Sequence, residues 1–168
     1  MIKKSAVGLL IVMIFGMGFG APGLARASEA DKAEVAAAAG QFYTALNAMF
    51  TGDVEPMKAV WSHADDGTYM GPAGGFQKGW PEILAVWEEH AAMKLGGKVT
   101  PEGMQITAGQ EIAITHNYEI GENFDKDGNP QKVSIRATNI FRKEGGQWKM
   151  IGHHTDLLPY LEKNTSGQ

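Results

Sequence analysis

From Ser28 to Phe50 apolar residues recur at helical spacing, with Phe42, Leu46, Met49 and Phe50 at i, i+4, i+7 and i+8. That stripe predicts a helix with one buried face, and Ser28 and Asp31 stand where its caps belong. Thr51-Gly52-Asp53 ends it, and a short second helix follows over Val54–Trp61 with Asp53 at the N-cap position. A glycine-rich passage from Gly67 to Gly79 holds one short strand, Gly67–Met70. Pro81 then occupies a first-turn position, and Glu82–Met93 places Ile83, Trp87 and Ala91 on one stripe before Gly96-Gly97 stops the helix. From Lys98 the period changes from helical to alternating. Met104, Ile106 and Ala108 alternate, and Ile112, Ile114, His116 and Tyr118 do so again. Asp125–Pro130 is turn chemistry around Asp127-Gly128, Gln131–Lys143 is a long strand, Glu144-Gly145-Gly146 a hairpin turn and Gln147–Leu157 a last strand. Helices first and an antiparallel meander afterwards is an α+β pattern, and a sheet curled around the helices would enclose one conical cavity.

The first 27 residues read differently. Lys3 and Lys4 precede an uncharged, mostly apolar run from Ala6 to Gly20, and Ala25-Arg26-Ala27 supplies small residues at the positions a signal peptidase reads. A membrane anchor is the alternative, but glycines and Pro22 break a run already shorter than the ~20 residues that span a bilayer. Residues 1–27 are therefore expected to be a signal peptide and 28–168 a single domain, periplasmic or secreted, with no membrane contact after cleavage. Removing Lys3, Lys4 and Arg26 leaves 12 basic residues against 19 acidic, a net charge of −7. No basic block survives, which argues against a nucleic-acid partner. The chain has no cysteine, excluding disulfides, a thiolate nucleophile and thiolate-bound zinc.

Several motif matches dissolve on inspection. Gly18-Phe19-Gly20-Ala21-Pro22-Gly23 fits a dinucleotide fingerprint but lies in the leader with a proline where a helix should start. Twelve residues on from Asp125, the Asp125–Asn129 segment meets Arg136 instead of the glutamate a calcium loop needs, so it reads as a turn. No nucleophile elbow occurs. There are five histidines, His63, His90, His116, His153 and His154, without the helix spacing of a zinc hydrolase. On a strand His154 and Asp156 share one face and His153 takes the other, so the adjacent pair cannot grip one metal, and neither metal nor cofactor is expected. One histidine of the pair in the core and the other at the surface is the plainer reading; a histidine lining a cavity is the alternative. Arg136 and Thr138 share a face with Ile140, so Arg136 either holds a ligand carboxylate or pairs with an acidic neighbour at the surface. Trp61, Trp80 and Trp87 serve the core or line a site.

The run Val60-Trp61-Ser62-His63-Ala64-Asp65-Asp66-Gly67-Thr68-Tyr69-Met70-Gly71-Pro72, with Gly74-Gly75-Phe76 and Lys78-Gly79-Trp80, resembles the nuclear transport factor 2-like (NTF2-like) superfamily in its SnoaL-like and DUF4440-type branch. Arg136–Arg142 and Gly146-Gln147-Trp148 through His153-His154-Thr155-Asp156 extend the resemblance over roughly residues 33–156. It implies a cone of three N-terminal helices packed in a strongly curved antiparallel sheet, commonly dimeric through the outer sheet face. Function is mixed across such a fold. Aligned through Ala64-Asp65-Asp66, the place of the ketosteroid isomerase base falls on Gly71, while Tyr43 falls near that family's oxyanion-hole tyrosine. Asp156 is only loosely comparable with the acidic residue of polyketide cyclases.

The resulting expectation is an exported, homodimeric binding protein with an internal pocket for a small, partly apolar, carboxylate-bearing molecule. Tyr43, His63, Tyr69, Trp80, Trp87, His116, Tyr118, Arg136, Thr138 and His154 are expected to line it, aromatics giving area and His116, Arg136 and His154 orientation. Two alternatives stand beside it. One is a lyase, isomerase or cyclase with His154 as general acid/base, supported by Asp156 or His116. The other is a dimeric assembly domain without catalysis. Alternation shows which residues share a face, not which face looks inward.

Overall fold

Helix α1 (Glu29–Met49) opens on a capping box. The Ser28 side chain accepts from the Asp31 backbone N–H at 3.1 Å, and the Asp31 carboxylate accepts from the Ser28 N–H at 2.9 Å. The computed structural model describes residues 28–157; the predicted leader lies outside them. After α1 come α2 (Glu55–Val60), β1 (Thr68–Gly71), β2 (Gly74–Lys78), α3 (Gly79–Met93), β3 (Lys98–Ala108), β4 (Ile112–Phe124), β5 (Pro130–Glu144) and β6 (Gln147–Leu157). Among the described residues no helix is long and apolar enough to cross a membrane.

The predicted stripes are the buried ones. Phe42, Leu46, Met49 and Phe50 of the first helix, and Ile83, Trp87 and Ala91 of the third, all enter one core with Met57, Trp61, Phe141 and Met150. Two boundaries differ from expectation. Val54, not Asp53, is the N-cap of α2, while Asp53 Oδ1 accepts from the Glu55 N–H at 3.1 Å. The glycine-rich passage forms a β1–β2 hairpin rather than a single strand.

The six strands form one curved sheet in the order β2-β1-β6-β5-β4-β3. All its pairings are antiparallel except β1 with β6, where Tyr69 lies beside His153. The three long hairpins place Thr115 beside Asn139 and Asn139 beside His153. Two bulges reset the alternation. One, between Glu102 and Gln105, lets Val99 and then Met104 and Ile106 face the core. The other, opposite Ile140 and Phe141, turns Met150 and then His153 inward. Gly121 lets β3 and β4 close together, since a Cβ there would stand 2.0 Å from the Lys98 carbonyl oxygen. The concave side packs on α1 and α3; the convex side carries the other half of every strand.

Candidate functional site

On β4 the inward residues are Ala113, Thr115, Asn117, Glu119 and Asn123; on β5 they are Ile135, Ala137, Asn139 and Phe141. Small and polar side chains predominate here, and the Tyr43 phenol of α1 reaches in among them. Tyr43 Oη donates to Glu119 Oε1 at 3.1 Å and accepts from Asn117 Nδ2 at 2.7 Å. Asn139 Nδ2 reaches the same phenol oxygen at 3.4 Å and Thr115 Oγ1 at 3.1 Å. With its amide nitrogen so engaged, Asn139 presents Oδ1 to His153 Nδ1 at 2.6 Å. That contact fixes the tautomer: Nδ1 carries the proton, and Nε2 keeps its lone pair.

Nε2 lies 3.9 Å from Glu119 Oε1. The pair is not a conventional ion pair, because burial shifts the two groups in opposite senses. Loss of hydration raises the Glu119 carboxyl to about 7, against the smaller opposing effect of the Tyr43 hydrogen bond. The same loss, with a small contribution from His154, lowers His153 to about 3. Near neutral pH the imidazole is therefore uncharged beside a carboxyl group poised to gain or lose a proton.

These groups border an internal cavity of about 350 Å³. Its wall is apolar, from Leu46, Met49, Phe50, Trp87, Leu95, Val99, Val133 and Ile135, with Tyr69, Glu119, Asn123 and His153 as polar members. The exposed Lys132 and Met93 stand at its rim with His90, whose imidazole burial holds below its ordinary value. An apolar chamber with few convergent polar groups is the usual form of a small-molecule site. Among the described residues no group of three His, Asp or Glu side chains could hold a metal ion.

Of the residues expected to line the pocket, Tyr69 and Trp87 form its wall and Tyr43 holds Glu119 in place. The others are elsewhere. His63 is exposed and stacks on Trp80 with centroids 4.4 Å apart, outside the cavity. His116, Tyr118, Arg136, Thr138 and His154 lie on the convex face, around a shallow groove of about 450 Å³. Arg136 there pairs with Asp156, so the guanidinium expected to hold a ligand carboxylate faces the outer groove and not the internal cavity. His154 and Asp156, the expected acid/base pair, face outward with it. The physical reason is that the more apolar set of β4 is the outer one: Ile112 and Tyr118 are 45% and 51% exposed.

Glu119, Asn117, Asn139 and Thr115 were not anticipated, and His153 is the core histidine that the plainer reading of the adjacent pair expected. A signal for them exists in the sequence. Thr115-x-Asn117-x-Glu119 interleaves with the apolar series at period two, and Phe141, a bulky core residue, has the parity of Asn139.

A SnoaL-like domain model matches residues 35–158. No curated protein matches the chain. Among solved structures, a proposed dehydratase of the NTF2-like family from Streptomyces avermitilis is 20% identical, covering 78% of this chain and 99% of its own at a TM-score of 0.69. An NTF2-like protein from Pseudomonas putida is 22% identical, covering 78% and 89% at 0.65. The association domain of calcium/calmodulin-dependent kinase II from C. elegans is 15% identical, covering 77% and 100% at 0.62. At these identities the likeness shows the fold alone, the α+β cone. The matched model covers most of the chain, and the protein belongs to the SnoaL-like domain family, with the fold of the NTF2-like structures.

Proposed function

We propose that the cone is a binding pocket for a small, mainly apolar molecule whose polar atom meets the Glu119 carboxyl. The observation that carries this is Glu119 itself, 3% exposed in the wall of an apolar cavity and held near 7. A carboxyl group in such a place costs stability, and a ligand that hydrogen-bonds to it recovers part of that cost. The interior polar group is acidic, so the ligand's buried end is a neutral oxygen or nitrogen. Any carboxylate belongs at the rim near Lys132. Native mass spectrometry of residues 28–168 tests this: mass in excess of the polypeptide, lost on denaturation and absent when Val133→Trp fills the cavity, supports it. Loss of that mass on Arg136→Ala with retention in Val133→Trp would overturn it.

The Glu119–His153 contact favours a second reading, a proton-transfer enzyme of the isomerase or lyase kind. Glu119, ionised, would take a proton from the carbon beside a substrate carbonyl and return it to another carbon of the same substrate, with the uncharged His153 ring held beside it. These two groups replace His154 and Asp156 in that role. Turnover lost in Glu119→Gln with affinity retained would favour catalysis over simple binding.

We also propose a homodimer formed through the convex sheet face, supported by exposed Ile112 and Tyr118 beside half-buried Ile114 and Ile140. Export to a periplasm or beyond is proposed from the basic, apolar, small-residue order of residues 1–27 and the lack of cysteine.

A further inference from the structure

Tyr69 is 3% exposed and lines the cavity, yet its hydroxyl has no hydrogen-bond partner among the described residues. Its ring is fixed from two sides. It lies parallel to the His153 imidazole, with centroids 5.8 Å apart and 8° between planes, and tilts against Trp87 at 4.7 Å. The hydroxyl occupies space that any residue other than glycine two positions on would fill. A Cβ on Gly71 would stand 2.2 Å from Tyr69 Oη and 2.7 Å from Cζ. Gly71 is not among the glycines with positive φ, so its backbone would accept an alanine. The missing side chain serves space alone.

The Tyr69 ring is buried, its O–H bonds to none of the described residues, and the void at Gly71 seats that O–H at the edge of an apolar chamber, where it is free to donate to what enters. Burial and the nearby Glu119 charge both push this phenol further toward its protonated form, so it keeps a proton to donate at neutral pH. We propose that Tyr69 is a specificity-determining contact that donates to a neutral acceptor oxygen of the ligand, a carbonyl above all, and that Gly71 is the positioning residue that seats it. This deepens the pocket reading above and rests on it.

The test compares two probes of nearly equal shape, methyl naphthyl ketone and ethylnaphthalene, binding to residues 28–168 at pH 8, with tryptophan fluorescence as readout. At that pH Glu119 is mostly ionised and is a poor donor. Wild type should bind the ketone roughly five- to tenfold more tightly than the hydrocarbon, the worth of one neutral hydrogen bond. Tyr69→Phe should erase that preference and leave hydrocarbon binding within twofold. Gly71→Ala should erase it too, while Arg136→Ala, on the outer groove, should preserve it. A merely structural role would weaken both probes together and leave their ratio intact. A ketone preference that survives Tyr69→Phe overturns the inference and leaves the pocket standing. Failure of both probes to bind wild type overturns the pocket reading and this inference with it.

Discussion

Tyr43 on α1 and Glu119 on β4, 76 residues apart in sequence, meet by a 3.1 Å hydrogen bond inside the cone. The phenol oxygen also takes the amide proton of Asn117, so one hydroxyl ties the helix to the sheet at the cavity wall. Tyr43→Phe removes the phenol donor from Glu119 and leaves Asn117 Nδ2 with only the Tyr118 carbonyl oxygen. It should destabilise the fold by about 1–3 kcal/mol in chemical denaturation. Because that hydrogen bond favours the ionised carboxyl, its loss should also move the Glu119 titration upward, read from the side-chain carboxyl carbon shift by NMR.

The titration of Glu119 has a signed effect on stability. The folded protein keeps this proton up to about pH 7, while the unfolded chain releases it near 4.5. Stability from this group is therefore complete below pH 4.5 and is lost as pH rises through 7, by roughly 3 kcal/mol in all. Glu119→Gln removes the loss. Its melting temperature relative to wild type should climb between pH 5 and pH 8; a constant difference would mean an ordinary, hydrated carboxyl.

His153 contributes the opposite slope. An unfolded histidine takes a proton near 6.5, and the buried one resists until about 3, so its stability is complete above 6.5 and lost as pH falls. Between about 4.5 and 6.5 the two slopes cancel. The unfolded chain carries one proton on the imidazole, the folded chain one on the carboxyl, and no net proton is exchanged. Wild-type stability should show no slope from this pair across that window, and Glu119→Gln should expose the histidine slope there. The His153 ring nitrogens should keep the NMR shifts of a neutral imidazole between pH 5 and pH 8.

On the convex face the expected effects are small. Arg136→Ala breaks an exposed pair with Asp156, worth less than about 1 kcal/mol. Neither it nor His154→Ala should change binding of the naphthyl ketone by more than twofold. A larger loss would return the ligand site to the outer groove.

Tyr118→Arg places a charge in the middle of the proposed dimer face. Light scattering should then give a monomer where wild type gives a dimer, with cavity binding unchanged. A monomeric wild type would remove the dimer from the account.

Most of the fold was legible because its helices declare themselves through large side chains. Phe42, Leu46, Ile83 and Trp87 sit at helical spacing, and all are in the core. The strands were legible as strands, but not as faces. Their inner side is lined by Thr115, Asn117, Glu119 and Asn139, which bond one another and Tyr43, though Asn117 Oδ1 has no partner among the described residues. Hydrophobic alternation weighs side chains singly and so points to the Ile112 and Ile114 side. The bulge between Ile140 and Phe141 adds a second break, since it puts Met150 and His153, three positions apart, on the same face. Only the pairing of whole strands reveals that.

The parallel pairing of Tyr69 with His153 also governs when the site can exist. The chamber needs Tyr43 from the first helix, Tyr69 from the first strand and His153 from the last. A growing or refolding chain can thus build helices and three hairpins before it has a cavity. Closing that contact joins segments 84 positions apart, the kind of long loop that slows folding. The pocket needs that contact, so ligand capture would report completion of the chain's folding more faithfully than its helix content.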